Sequence, residues 1–160
     1  MLIRAASGSD DEAIWAVIEP TIRAGETLML PPAMAPDDAL AYWRSPAHEV
    51  FVAEVQGEVL GTYYLRVNQQ GHGDHVANCG YATAAWASGR GVARAMCLHS
   101  LDRARARGLR AMQFNCVVAS NERAVRLWQS CGFAIVGRVP ETFRHPGFGM
   151  VDTLVMHRGL

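Results

Sequence analysis

The chain has 160 residues, half of them hydrophobic, which is enough apolar side chain for one domain with its own core, and residues 1–160 read as a single domain. Fifteen basic and 15 acidic side chains leave a formal net charge of zero, so nothing directs the chain to nucleic acid or to an anionic membrane surface. No segment is long and apolar enough to read as a membrane span.

Every basic residue is arginine. The four cysteines, Cys79, Cys97, Cys116 and Cys131, are widely spaced, sit in apolar patterns and form no C-x-x-C pair. They read as buried free thiols in a reducing compartment rather than as disulfides or a metal site. Met1-Leu2-Ile3-Arg4 leads straight into strand-like sequence without an export signal, so the expected location is the cytoplasm.

Leu2 to Ala6 alternates as a first strand. Ser9-Asp10-Asp11-Glu12 has the form of a capping box that opens a helix carrying Ile14, Trp15, Val17 and Ile18 on one stripe. Pro20 is expected to bend or interrupt that helix and Gly25 to end it. Glu26 to Pro32 is apolar but broken by prolines, a loop, and Pro36 to Trp43 is a second helix. His48 to Val55 and Glu58 to Val67 form a hairpin across Gln56-Gly57. Asn68 to Asp74 is a polar loop, and His75 to Thr83 is the next strand.

Ser88-Gly89-Arg90-Gly91-Val92-Ala93 then joins that strand to a helix running from Val92 to Gly108. This helix is expected to bury Ala93, Cys97, Leu98, Leu101 and Ala104. A strand, a glycine turn and a helix N-terminus make an anion site: free N–H groups point outward and the helix dipole adds positive charge. Gly89 and Gly91 let a phosphate approach the backbone, and Arg90 and Arg94 add full charges at the mouth. An ordinary glycine-rich connection is the competing reading of the turn alone. Arg110 to Val118 is a further strand, with Met112, Phe114 and Cys116 alternating against Gln113, Asn115 and Val117. A helix from Asn121 follows, then strands from Phe133 to Val139 and from Val151 to His157, separated by a loop over Pro140 to Gly149. The order β-α-α-β-β-β-α-β-α-β-β predicts a layered α/β domain, a mixed sheet with helices on both faces.

The turn S-G-R-G-V-A is joined by a second pattern, Asn121-Glu122-Arg123-Ala124-Val125-Arg126-Leu127-Trp128-Gln129-Ser130-Cys131-Gly132-Phe133, of the form N-x-x-A-x-x-L-[aromatic]-x-x-x-G-F. Together they resemble the GCN5-related N-acetyltransferase (GNAT) family, over nearly the whole chain in element order and length. The resemblance implies a mostly antiparallel central sheet and acetyl-CoA as co-substrate. It assigns the pyrophosphate to backbone and side chains of Ser88, Gly89, Arg90, Gly91, Val92, Ala93 and Arg94. It places pantetheine beside the backbone near Tyr81 and Thr83, with a backbone N–H at Tyr81 or Ala82 facing the thioester oxygen and Asn121 along the pantetheine arm. Asn121 is equally a favoured helix N-cap, and both roles can hold. Ser88 departs from the Gln or Arg usual there. Trp128 stands where many members carry a tyrosine thought to protonate the leaving thiolate, which removes the obvious general acid.

Asn78 is the most informative residue for the acceptor. An amide inside an apolar strand costs free energy unless paired, and it can hold a carboxylate or orient an amine. The competing reading is an asparagine bonded to a neighbouring strand's bulge. The run His75-Val76-Ala77-Asn78-Cys79-Gly80-Tyr81, with Tyr64-Leu65-Arg66-x-Asn68 before it, is similar to a subgroup that includes the fungal azetidine-2-carboxylate acetyltransferases, in which the matching asparagine is a substrate-binding and catalytic residue. Asn115 and Tyr81 are the other catalytic candidates, against packing roles for both. Glu26 and Thr27 in the loop over the acceptor site are candidates for binding the amine, against the role of solvated loop residues. The cluster His72-Gly73-Asp74-His75 lacks a partner cluster, and no metal is expected.

The function expected is acetyl transfer from acetyl-CoA to the amine of a small molecule, an amino acid or analogue, by direct attack on the thioester. A protein N-terminus or lysine as acceptor, and a non-catalytic acyl-CoA-binding module, are the alternatives. Exposed C-terminal strands, which often pair in the family, make a homodimer a further expectation. A dinucleotide-binding fold is disfavoured by the absence of G-x-G-x-x-G after the first strand.

Overall fold

A computed structural model describes residues 1–160. Seven strands, β1 (Leu2–Ala5), β2 (Glu49–Val55), β3 (Glu58–Val67), β4 (Val76–Thr83), β5 (Ala111–Val118), β6 (Ala134–His145) and β7 (Gly149–Gly159), form one sheet in the order β1-β2-β3-β4-β5-β7-β6. Every neighbouring pair is antiparallel except β4 and β5. Helices α1 (Asp11–Ala24) and α2 (Pro36–Trp43) cover one face, where Trp43 Nε1 donates to Thr62 Oγ1 at 3.1 Å. Helices α3 (Val92–Ala106) and α4 (Glu122–Ser130) cover the other, where Tyr81 meets Ser100 of α3 and Trp128 of α4. Ile14, Ile18, Trp43, Leu60, Leu65, Met96 and Met112 are fully buried between these layers.

The first helix starts differently from its sequence pattern. The cap is Ser7 with Asp10, not Ser9 with Glu12: Ser7 N–H donates to Asp10 Oδ2 at 2.7 Å and Ser7 Oγ at 2.9 Å. Asp10 wins because Arg4 of β1 grips the same carboxylate with two bonds of 2.8 Å, a partner from the preceding strand that Glu12 lacks. The guanidinium holds the Asp10 carboxyl well below the usual carboxylate range. The helix runs through Pro20 to Ala24 without a break, and Trp15 sits at the side of its stripe, half-buried under the Arg23 guanidinium.

Three further expectations change. In α3 the core stripe is Val92, Met96, Cys97, Ser100, Leu101 and Ala104, so Leu98 turns outward, 42% exposed, and Ala93 is half-buried. Cys116 is exposed, because the β5–β7 register shifts between Phe114 and Val117 and breaks the alternation; Cys79, Cys97 and Cys131 are buried, and all four are free. The expected loop over Pro140 to Gly149 is mostly strand: pairing of β6 with β7 resumes at Phe143↔Val151 after a break beyond Val139. Pro140 is tolerated because β6 is the edge strand, where a missing ladder donor costs little. This hairpin leaves Ile135, Val136, Val139, Phe148 and Met150 exposed.

Candidate active site

The only parallel pairing in the sheet is short. β4 and β5 pair at Val76↔Ala111 and Ala77↔Met112, and no further. At the vertex of the split, Asn78 Nδ2 donates to the carbonyl of Gln113 on β5 at 2.9 Å, and Asn78 Oδ1 accepts from Arg66 Nε on β3 at 3.3 Å. The buried amide therefore has partners on both sides, and it takes the place of a ladder bond where the strands part.

Hydrogen-bond parity shows which backbone groups line the split. Val76 C=O accepts from Asn68 N–H and Ala84 N–H donates to Leu60 C=O, so the even-numbered residues of β4 address β3. Backbone groups alternate sides along a strand. The N–H and C=O groups of Cys79, Tyr81 and Thr83 thus run along the open edge, and the backbone N–H of Ala82 does not. A cleft of about 960 Å³ occupies the split and continues under the loop of Thr27, Leu28, Met29 and Leu30.

At one end the cleft reaches the glycine turn. Gly89 (φ 78°) and Gly91 (φ 77°) are in the left-handed region, and a Cβ at either would stand in open space. The N–H groups of Gly89, Gly91, Val92, Ala93 and Arg94 donate to no acceptor in the chain. These orphaned donors at the start of α3 form a concave, positive cradle that suits a pyrophosphate. Ser88, Gly89, Gly91, Val92, Ala93, Arg94, Thr83 and Asn121 all line the cleft; Arg90 is exposed outside its lining. Arg94 Nη1 donates to Ser130 Oγ at 2.9 Å, and Arg123 Nη1 to Ser88 Oγ at 2.6 Å, so α4 buttresses the turn. Asn121 caps α4, its Oδ1 accepting from Ala124 N–H at 3.2 Å.

At the other end stand Tyr42, Trp43, Tyr64, Arg66, Asn78, Asn115 and Cys116. Gly80 makes room there: a Cβ would lie 2.5 Å from the Tyr64 ring, which stacks on His48 at 4.1 Å. Asn115 belongs to an amide chain, accepting from Gln113 Nε2 at 3.0 Å and donating to Asn68 Oδ1 at 2.7 Å. Thr27 lines the cleft, whereas Glu26 is exposed and outside it.

No Asp, Glu or His lines the cleft. Burial raises Tyr64 and Tyr81 well above the usual phenol range and pushes the Cys79 thiol up to about 12. Ser100 Oγ donates to Cys97 C=O at 2.7 Å, which leaves it to accept from the Tyr81 hydroxyl at 2.7 Å. Tyr81 lines the cleft, but its hydroxyl proton is directed into α3. Trp128 packs on Tyr81 and Phe114 with ring centroids 5.0 and 5.2 Å away, and an indole gives no proton to a leaving group.

Sequence reasoning did not single out Tyr42 for the cleft, and it noted Tyr64, Arg66, Arg123 and Arg126 only within longer runs. The pairing Arg66↔Asn78 and Tyr64↔Gly80 brings the β3 residues onto the acceptor side, a register that the sequence does not display.

Comparison with known proteins agrees with this geometry. The chain is 28% identical over 114 residues to the N-acetyltransferase aca1 of Schizosaccharomyces pombe, covering 69% of this chain and 54% of that protein, so it spans about half the length of this relative. A GCN5-related N-acetyltransferase from Kribbella flavida is 41% identical, with TM-score 0.93 over 99% of this chain and 97% of the other. The fold is shared with yncA from Salmonella typhimurium, solved with its cofactor acetyl-CoA (22% identity, TM-score 0.87, 100% and 94% of the two chains). The model of the Acetyltransferase (GNAT) family matches residues 18–133. The split sheet, the donor cradle before α3 and this match lead to one conclusion: the chain belongs to the GNAT family of acetyltransferases.

Proposed function

We propose that the acceptor is a small-molecule amine, an amino acid or an analogue, and that its nitrogen attacks the thioester directly. The observation that carries this reading is the acceptor end of the cleft. It lies beneath the Thr27–Leu30 loop with Tyr42, Trp43 and Tyr64 beside it, and it presents no acidic side chain of the kind that would hold a lysine-rich segment.

Acetyl-CoA supplies the acetyl group as an activated thioester. In the proposed arrangement, the free N–H groups of Gly89, Gly91, Val92, Ala93 and Arg94 hold the pyrophosphate, with Ser88 beside them and Arg90 and Arg94 adding charge. The open edge at Thr83 and Tyr81 pairs with the pantetheine amides, and Asn121 stands beside that arm. Parity favours the Tyr81 N–H over that of Ala82 as the donor to the carbonyl oxygen, where negative charge develops. Asn78 and Asn115 orient the acceptor, and Thr27 contacts it from above. Nitrogen adds to the carbonyl carbon, the C–S bond breaks, its electron pair leaves on sulfur, and the proton released from nitrogen passes to solvent.

With no carboxylate or imidazole lining the cleft to take its proton, the amine has to arrive deprotonated. The neutral fraction grows with pH. For free amino acids as acceptors, log kcat/KM is therefore expected to rise with unit slope up to the acceptor's own amine pKa, and the break is expected to move when an acceptor of different basicity is used. A break at the same pH for every acceptor would point instead to a base on the protein and contradict unassisted attack.

A further inference from the structure

The charged residues of the cleft are Arg66, Arg94, Arg123 and Arg126, with no carboxylate among the lining. Three of them have partners elsewhere: Arg94 on Ser130 and Arg123 on Ser88 around the phosphate turn, and Arg126 on Glu122 along α4. Arg66 stands apart. It is opposite Asn78 in the β3–β4 register, and Asn78 lies some 17 Å along an extended strand from Thr83 at ~3.4 Å per residue. That is too far for its guanidinium to serve the pyrophosphate.

Of the other half-buried arginines, Arg158 donates to the Cys131 carbonyl and two are neutralised within the fold. Arg4 holds Asp10 and Glu54, and Arg44 holds Asp11. Arg66 is also half-buried, yet it has no acidic partner; its one hydrogen bond is from Nε to Asn78 Oδ1. Asn78 is itself fixed to the Gln113 carbonyl, so the guanidinium plane is tethered while Nη1 and Nη2 remain free. The neighbouring side chains are neutral: the amides of Asn68 and Asn115, the phenol of Tyr64, the thiol of Cys116 and the imidazole of His48, whose pKa burial lowers further. The field of Arg66 is felt at Tyr64, His48 and Cys116. A tethered, partly desolvated guanidinium with two free donors and no counter-charge is matched by a carboxylate, which accepts both donors in one plane.

We infer that Arg66 is the residue that reads the acceptor, binding a carboxylate carried close to the reacting amine, so that the substrates are amino acids in their free-acid form and polycationic amines are excluded. This rests on the reading of the cleft as an acetyl-transfer site for small amines. Its new content is the anchor and the charge of what it holds. A carboxylate on Arg66 places the α-amine next to Asn78, at the vertex of the split and facing the open edge of β4.

The test compares kcat/KM for an amino acid and for its primary amide, each corrected to the neutral-amine fraction, in the wild type, Arg66→Gln and Arg66→Lys. A charge-assisted fork predicts that the wild type favours the acid about 10–100-fold. In Arg66→Gln that ratio falls to about one, while the acetyl-CoA Kd measured by calorimetry stays within about twofold, since the cofactor turn is distant. Arg66→Lys, which keeps the charge but not the fork, gives an intermediate ratio and guards against a defect in the first variant's fold. Equal use of acid and amide by the wild type, or a ratio that survives in Arg66→Gln, overturns the assignment and leaves the small-amine function standing. Binding of acetyl-CoA without turnover of either compound overturns the small-amine reading, and the Arg66 inference with it.

Discussion

Gly91→Asp is expected to raise the Kd for acetyl-CoA by about 100-fold or more, close to 2.7 kcal/mol, with little loss of thermal stability. Gly91 is the N-cap of α3 at φ 77° and ψ 5°, and a side chain there meets nothing within 4 Å. Aspartate is among the residues that tolerate the left-handed region, and a negative charge at a helix N-terminus stabilises the helix. The fold therefore has a reason to accept the substitution. The cofactor does not: the new carboxylate competes for the N–H groups of Val92, Ala93 and Arg94, which have no acceptor in the chain, and repels any phosphate. Calorimetric titration with acetyl-CoA, beside a thermal melt, separates the two effects. A Kd within about threefold of wild type would mean that the turn before α3 is not the phosphate site.

Asn78→Ala is expected to lower kcat/KM by about 10²-fold, change the acetyl-CoA Kd by less than about threefold, and cost some 1–3 kcal/mol of stability. The stability loss follows from two stranded groups. The Gln113 carbonyl loses the donor that bridges β4 to β5, and Arg66 Nε loses its acceptor. The rate loss follows from the same two bonds. They fix the width of the split at its vertex and the direction of the guanidinium beside it, and a misplacement of about 1 Å at a reacting centre is enough for a 10²-fold loss. Steady-state kinetics and chemical denaturation on one preparation measure both. A variant that loses stability but keeps its turnover would reduce Asn78 to a structural bridge. That is the bonding to a neighbouring strand which its burial also explains.

How much of this was legible in the sequence depended on how far apart the determining contacts lie. The period-2 runs that became β2, β3 and β4, the glycine turn and the Asn121 cap are local patterns, and each kept its place. The helix cap slid to Ser7 and Asp10 because the decisive partner, Arg4, sits on a strand. Leu98 and Cys116 went outward because helix rotation and a register shift in β5 are settled by what packs against them. The last hairpin outran its loop-like composition because β7 offered β6 a partner beyond Val139. The cost of an unpaired amide marked Asn78 as a residue in need of partners, but their identity, Gln113 and Arg66, belongs to the meeting of three strands. The same distance kept the lack of an acid partner for Arg66 out of view, since no inspection of one strand reveals which carboxylates come near.

The most direct measurement is thiol release from acetyl-CoA by the purified wild-type protein over a panel of free amino acids, proline analogues, polyamines, aminoglycosides and peptides with free N-termini. Turnover is predicted with one or a few free amino acids or close analogues, well above that with the polyamines, aminoglycosides and peptides. Acetyl-CoA binding with turnover confined to peptides, or with none across the panel, would contradict a small-molecule acceptor.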